Sequence, residues 1–288
     1  MTYKYTMKKI SLMVLVTLLA IATTQAQDLK GKNGQPILPE AGDIGLGVNV
    51  IPFFNWFGNS FNGSTNNTYA GSNKFFSMFG NSVIMGKYML TESTAIRANF
   101  GFNFSSTSDN RMVFDDASTD PLAMVTDTRI SAFGSYTLAG GYEMRRGSGR
   151  IQGYFGGDVI LSLTENTNKY SYGNGYAATN AVPTSYNFNG NVNTDGSRQI
   201  LTQGNNTFGL GIRPFIGVEY FVAPKMSIGA EFGYTIRYVH TFRSMSVDEY
   251  YESSTSTVVN RETIQAARNT VSGTVDNFNG AVFVLFYF

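Results

Sequence analysis

The chain has no cysteine, a single histidine (His240) and few charges. Only 14% of its 288 residues are Asp, Glu, Lys or Arg, against about 25% in a typical soluble domain. Without cysteine there is no disulfide, no thiolate metal site and no acylated N-terminal cysteine. The net charge of +1 gives no basis for nucleic acid or an acidic macromolecule as a partner. Long apolar runs are also missing. The one candidate, Ile10 to Ala22, falls short of the roughly 20 residues that a transmembrane helix needs.

What is present begins at the N-terminus. Lys4, Lys8 and Lys9 precede that apolar stretch, and Thr23-Thr24-Gln25-Ala26-Gln27 follows it. A basic head, a short apolar centre and small residues before a cut predict a secretory signal peptide over 1–26, cleaved after Ala26. A retained membrane anchor is the competing reading. An exported chain with no further apolar span is periplasmic, secreted or a β-barrel. Scarce charge, 31 glycines and 14% aromatics suit a barrel, with lipid outside and aromatic girdles at its rims.

Period-2 alternation predicts eight strands. The first, about 42–54, sets Ile44, Leu46, Val48 and Val50 against Gly45, Gly47 and Asn49. The second, about 78–90, is blurred by the consecutive Val83, Ile84 and Met85. The third sets Ile96, Phe100, Phe102 and Phe104 against Arg97, Asn99 and Asn103. The fourth, about 128–144, opposes Ile130, Tyr136, Leu138 and Tyr142 to Arg129, Ser135 and Glu143; the fifth opposes Ile151, Phe155, Val159 and Leu161 to Tyr154 and Asp158. The sixth places Leu210, Ile212, Ile216 and Tyr220 opposite Arg213, Phe215 and Glu219, and the seventh Ile228, Phe232, Tyr234 and Ile236 opposite Glu231 and Arg237. The eighth begins near Phe278 and runs Val282, Val284, Phe286, Phe288 on one face.

The connections alternate in length. Short turns fall at 91–93, 145–149 and 222–225, and long connections at about 55–77, 106–127, 165–207 and 243–277. Short turns on one side and long loops on the other predict an all-β, up-and-down antiparallel transmembrane β-barrel, with both chain ends on the periplasmic side. Residues 27–41 are expected to be a periplasmic lead, in which Pro36 and Pro39 discourage early strand pairing, and 42–288 the barrel. Strands of this kind can also run past the membrane into the long loops. A soluble β-sandwich shares the alternation, but its solvated faces should carry more charge.

This pattern resembles the small eight-stranded outer-membrane barrels of the OmpA and OmpX type, over essentially the whole of the expected mature chain. The terminal run Val284, Phe286, Phe288 resembles the C-terminal assembly signal of outer-membrane barrels. Neutral Asn-, Ser-, Thr- and Tyr-rich loops and a Gln after the cleavage site are similar to barrels of Bacteroidetes. The resemblance implies the outer membrane of a Gram-negative cell, outer-membrane lipid and lipopolysaccharide as surroundings, and insertion by the barrel-assembly machinery. It also implies a porin-like shell. No peptidoglycan-binding domain is expected after Phe288, which removes the basis for a cell-wall tether.

Eight strands leave an interior just wide enough for side chains to fill it. Arg97, Arg129, Asp158, Arg213, Glu219, Glu231 and Arg237 are expected to share that interior as a charge network, since unpaired buried charge is expensive. A closed salt-bridge plug is the favoured outcome and a narrow pore for small solutes or ions the alternative. Trp56, Tyr142 and Tyr220 are expected at the membrane interfaces, with Phe53, Phe54 and Phe57 beside Trp56.

No catalytic, cofactor or metal residue is assigned. A lipid A deacylase would use a His and a Ser two positions apart on an outward face, and position 242 here is Phe242. Asp115, Asp116, Asp120 and Asp127 match no calcium-loop spacing and are expected to form a solvated loop tip. The third long loop, with Tyr170, Tyr172, Tyr176 and Tyr186 among small polar residues, has the composition of an adaptable recognition surface or of a hydrophilic screen. A non-enzymatic structural or surface-interaction role, with an extracellular ligand met by the loops, is the expectation.

Overall fold

The computed structural model describes residues 29–31, 34–49, 83–188, 191–193 and 196–288. The expected leader, the end of the first expected strand with Val50, the whole first long connection, the start of the second expected strand, Trp56 with its phenylalanine neighbours and the side chain of Phe278 lie outside the described residues.

Among the described residues every regular element is a strand: β1 (Ile44–Asn49), β2 (Val83–Thr91), β3 (Thr94–Phe114), β4 (Met124–Ser148), β5 (Ile151–Ser171), β6 (Ser185–Asn187), β7 (Asn191–Asn193), β8 (Ser197–Gln203), β9 (Thr207–Ala223), β10 (Met226–Thr241), β11 (Ser244–Glu252), β12 (Thr257–Gln265) and β13 (Arg268–Tyr287). Eight of them form a closed antiparallel ring of hydrogen bonds in the order β1, β2, β3, β4, β5, β9, β10, β13 and back to β1. Two pairings close it. Gly45 lies opposite Tyr287 and Val48 opposite Val284, while β5 meets β9 from Ile151↔Tyr220 to Thr164↔Thr207.

The strands are longer than the alternation of apolar residues alone predicts. β3 and β4 stay paired up to Phe114↔Met124, so most of 106–127 is hairpin rather than loop. β8 continues the line of β9, and β11 that of β10, beyond two breaks in the ladder. At the first break Asn205 adopts φ 58°, a left-handed conformation that Asn tolerates better than most residues. The side chain of Asn206 accepts the Asn166 amide at 2.8 Å, and its carbonyl accepts the Phe242 amide at 2.9 Å. The expected long connections 165–207 and 243–277 are therefore partly sheet. A run of polar residues hides a strand when both faces are wet, because the hydrophobic alternation that reports a strand is then missing.

Period 2 sorts the side chains as expected. Ile44, Leu46, Ile96, Leu138, Val159, Ile212, Ile216 and Phe232 are exposed on the outer face, with Tyr142 and Tyr220 among them. Phe286 and Phe288 also face outward, and Val284 is half-buried. Inside, at the end holding Phe288, Met89, Ala95, Tyr154, Phe215, Phe221, Phe283, Leu285 and Tyr287 form an apolar cluster. Ile37 from the N-terminal lead joins this cluster, with Leu29 and Leu38 packed beside it. The lead is held there by backbone bonds from Ile37 N to Leu29 O (3.0 Å) and from Lys225 N to Ile37 O (3.0 Å). Tyr287 fits across the ring because β1 offers it Gly45: a Cβ there would stand 2.8 Å from the Tyr287 ring.

Candidate functional site

Interleaved with the apolar cluster, four cations and four anions cross the ring: Lys87, Arg97, Arg145 and Arg213 with Glu143, Asp158, Glu219 and Glu231. They come from β2, β3, β4, β5, β9 and β10. All eight are buried. Equal numbers make the layer formally neutral, which the low dielectric of an enclosed interior requires.

The layer has two tiers. In the one nearer Phe288, Lys87 Nζ lies 2.8 Å from Glu143 Oε2 and 2.7 Å from Glu219 Oε1. Arg145 contacts both glutamates, with its Nε 3.0 Å from Glu143 Oε1 and its Nη2 in a short contact with Glu219. Glu219 also accepts from Tyr287 Oη at 3.1 Å and from Ser227 Oγ at 3.2 Å. In the second tier Arg97 grips Glu231 with two parallel bonds, of 2.7 and 3.0 Å. Arg213 bridges Asp158 at 3.0 Å and Glu231 at 2.7 Å. Arg97 Nε stands 3.2 Å from Asp158 Oδ1 without hydrogen-bond alignment, and a 3.5 Å contact from Arg97 to Glu143 joins the tiers.

Aromatic faces supply the remaining coordination. Lys87 Nζ sits 4.5 Å from the Tyr154 ring centre and the Arg97 guanidinium 3.9 Å from that of Phe215. Such contacts favour a desolvated cation by roughly 2 kcal/mol.

Five of the seven expected network residues meet here: Arg97, Asp158, Arg213, Glu219 and Glu231. Arg129 and Arg237 do not. Arg129 lies 14 positions along β4 from Glu143, where it pairs with Asp109 at 2.5 Å and rests over the Phe188 ring. Arg237 lies six positions beyond Glu231, roughly 20 Å along the strand; it is half-buried and makes no ion pair with a described side chain. Both share the inward face but not the height, which period 2 alone does not report.

Three members were not anticipated. Lys87 is a lone charge between Gly86 and Tyr88 in the strand of blurred parity. Glu143 already stood on the inward face. Arg145 belongs to β4, not to the turn expected at 145–149; the reversal is Gly149-Arg150, with Gly149 at φ 70°. The signal for Arg145 was its spacing of two from Glu143.

At the opposite end, residues 172–188 fold back against the β3–β4 hairpin. Asp127, expected in a solvated loop tip, is buried and accepts the backbone amides of Gly173 at 2.9 Å and Tyr186 at 2.7 Å. Asn174 Nδ2 donates to the carbonyls of Phe114 at 2.7 Å and Thr184 at 2.8 Å. Arg198 stacks on Tyr172 and Tyr176, 4.3 and 4.6 Å from their ring centres, and bonds Glu249 at 2.7 Å. These tyrosines hold the segment together, and burial raises the pKa of both hydroxyls.

Partial burial would raise the Asp116 carboxyl as well. Hydrogen bonds from Thr184 and Asn180 and the field of Arg198 outweigh that and hold it below the ordinary aspartate value of 3.8.

His240 places Nδ1 2.7 Å from Asn269 Oδ1 and its ring edge-on to Phe242. The Ser244 hydroxyl donates to Gln265 at 3.2 Å. Among the described residues no group of three or more His, Asp or Glu is placed to hold a metal ion. Compared with models of known protein families and with curated proteins, the chain matches none.

Proposed function

We propose that this chain is an eight-stranded transmembrane β-barrel of the bacterial outer membrane, closed to solutes, with a non-enzymatic structural and surface-interaction role. One observation carries the reading: a neutral set of eight buried charges fills a ring whose outer face is apolar. Soluble monomers rarely expose contiguous apolar surface on this scale, whereas a barrel needs an outward apolar band about 25 Å tall. On β3 the outward residues Ile96 to Phe104 span eight steps, which is about 26 Å of strand. Inside, each cation contacts at least two carboxylates, which favours a plug over a conducting path. Outer-membrane lipid and lipopolysaccharide would surround the outer face, with Phe286 and Phe288 read by the barrel-assembly machinery and the leader removed near Ala26.

The test is single-channel conductance of the refolded mature protein in planar bilayers, with heat-modifiable gel migration as the sign of a folded barrel. A folded, electrically silent protein supports the plug. Steady openings whose ion preference changes with Glu219→Gln would establish the narrow channel instead.

A further inference from the structure

The exposed apolar surface does not end with the band around the ring. On β4 the apolar band ends at Ile130, which lies opposite Ser108; beyond that level the outward positions Asn110, Thr126 and Thr128 are polar, and past them the hairpin becomes apolar again. Met112, Phe114, Leu122 and Met124 are 69%, 57%, 82% and 43% exposed. Phe114 and Met124 are cross-strand partners, so the four form one patch. Met112 stands roughly 13 Å along the strand from the level of Ile130, and Asn110, Thr126 and Thr128 separate the patch from the band. A membrane does not account for it.

The patch is rigid. Asp115 accepts the Ala117 amide and Asp120 that of Leu122, each at 2.9 Å. The turn closes through Asp115 N to Ala123 O at 3.0 Å, and Asn174 Oδ1 accepts the Asp116 amide at 3.0 Å. Apolar side chains held in this way meet a partner with little ordering cost. The two methionines add polarizable surface that adapts to differing shapes.

Charge selects the partner. Asp115, Asp116 and Asp120 border the patch, and residues 112–126 contain no lysine or arginine; the nearest cations are engaged elsewhere, Arg111 over the Tyr186 ring and Arg129 with Asp109. An anionic rim around an apolar centre attracts a cationic apolar segment and repels anionic lipid and acidic peptides. We infer that the β3–β4 tip is a docking surface for a polypeptide segment of another protein that combines apolar side chains with lysine or arginine. The inference deepens the surface-interaction role proposed above and rests on it.

The test uses the full mature chain in nanodiscs and a synthetic peptide of alternating lysine and leucine, followed by fluorescence anisotropy, with a glutamate–leucine peptide as control. The lysine–leucine peptide is expected to bind, and the control to bind at least tenfold more weakly. Phe114→Ser with Leu122→Ser should weaken binding tenfold or more. Asp115→Asn with Asp120→Asn keeps the side-chain acceptors that shape the turn, yet should weaken binding severalfold and flatten its salt dependence. Leu122→Cys should react rapidly with a maleimide–polyethylene glycol in the unliganded protein.

Equal binding of both peptides, binding indifferent to both double variants, or a Leu122→Cys thiol already protected in the free protein would each overturn the docking site. Protein that enters nanodiscs with heat-modifiable migration but ignores the peptide overturns the docking site alone. Peptide binding by a protein that does not enter the bilayer overturns the membrane reading and leaves the docking site standing.

Discussion

Arg145 and Tyr287 lie 142 positions apart in the chain and meet inside the ring, where Arg145 Nη2 donates to Tyr287 Oη at 2.7 Å. The tyrosine hydroxyl in turn donates to Glu219 at 3.1 Å. Through this chain of bonds the last strand is tied to β4 and β9 as well as to its neighbours β1 and β10, so closure of the ring and neutralisation of its interior are one event.

Glu219→Gln should therefore cost more than a hydrogen bond. Lys87 and Arg145 would keep their charge and lose a shared counter-ion, and breaking a buried pair from one side costs about 3–5 kcal/mol. Urea unfolding followed by loss of heat-modifiable migration should show this. The double variant Glu219→Gln with Lys87→Met should recover part of the loss, which a merely steric effect of Gln would not.

Gly217→Ala should also destabilise the ring. A Cβ at this position would stand 2.2 Å from the Tyr154 ring and 2.7 Å from the carbonyl oxygen of Ala230. The aromatic ring has to move, and Lys87 loses the face it rests on. Overpacking of this kind costs about 1–3 kcal/mol. Tyr154→Leu in the same chain should relieve part of it, as read from the same unfolding midpoints.

Arg198→Lys should loosen the folded-back segment without touching the ring. Lysine keeps the charge but lacks the planar group that stacks on Tyr172 and Tyr176 while bonding Glu249. Limited proteolysis should cut within 172–197 severalfold faster, with heat-modifiable migration unchanged. Loss of the folded ring in this variant would show that the two ends of the molecule are coupled.

The Asp116 carboxylate gives the same segment a pH dependence. Its folded pKa lies below the ordinary 3.8, so its stabilising contribution is complete well above that value and is lost as pH falls through the folded pKa. The Thr184 amide, which donates to Asp116 Oδ2 at 2.7 Å, should report the titration in NMR spectra with a midpoint below 3.8. The step should vanish in Asp116→Asn. A midpoint at or above 3.8 would contradict the geometry.

Much of the inside-outside division was legible in the sequence, because a strand reverses its side chains at every step and one face here is apolar. Ile96 against Arg97 and Ile212 against Arg213 needed nothing more. Parity does not say how high on the wall a side chain sits, so Arg129 and Arg237 were grouped with charges they do not reach. Lys87 was hidden where Val83, Ile84 and Met85 erased the alternation, and Arg145 where Gly147, Ser148 and Gly149 suggested an earlier turn. Beyond the apolar band the pattern fades, which concealed the outer halves of β3 and β4 and the strands β8, β11 and β12.

What the sequence determined by itself was the all-β class, the order of the main strands and the face taken by residues of the clearly alternating strands, because period 2 and turn chemistry are local. The partners were decided by the tertiary structure. Which carboxylate neutralises which cation depends on register and on strands brought together from opposite ends of the chain, as Arg97 and Glu231 are across 134 positions. That Tyr172 and Tyr176 stack on Arg198 was likewise decided only when residues 172–188 packed against the wall, because no local rule couples a loop to the wall it packs against.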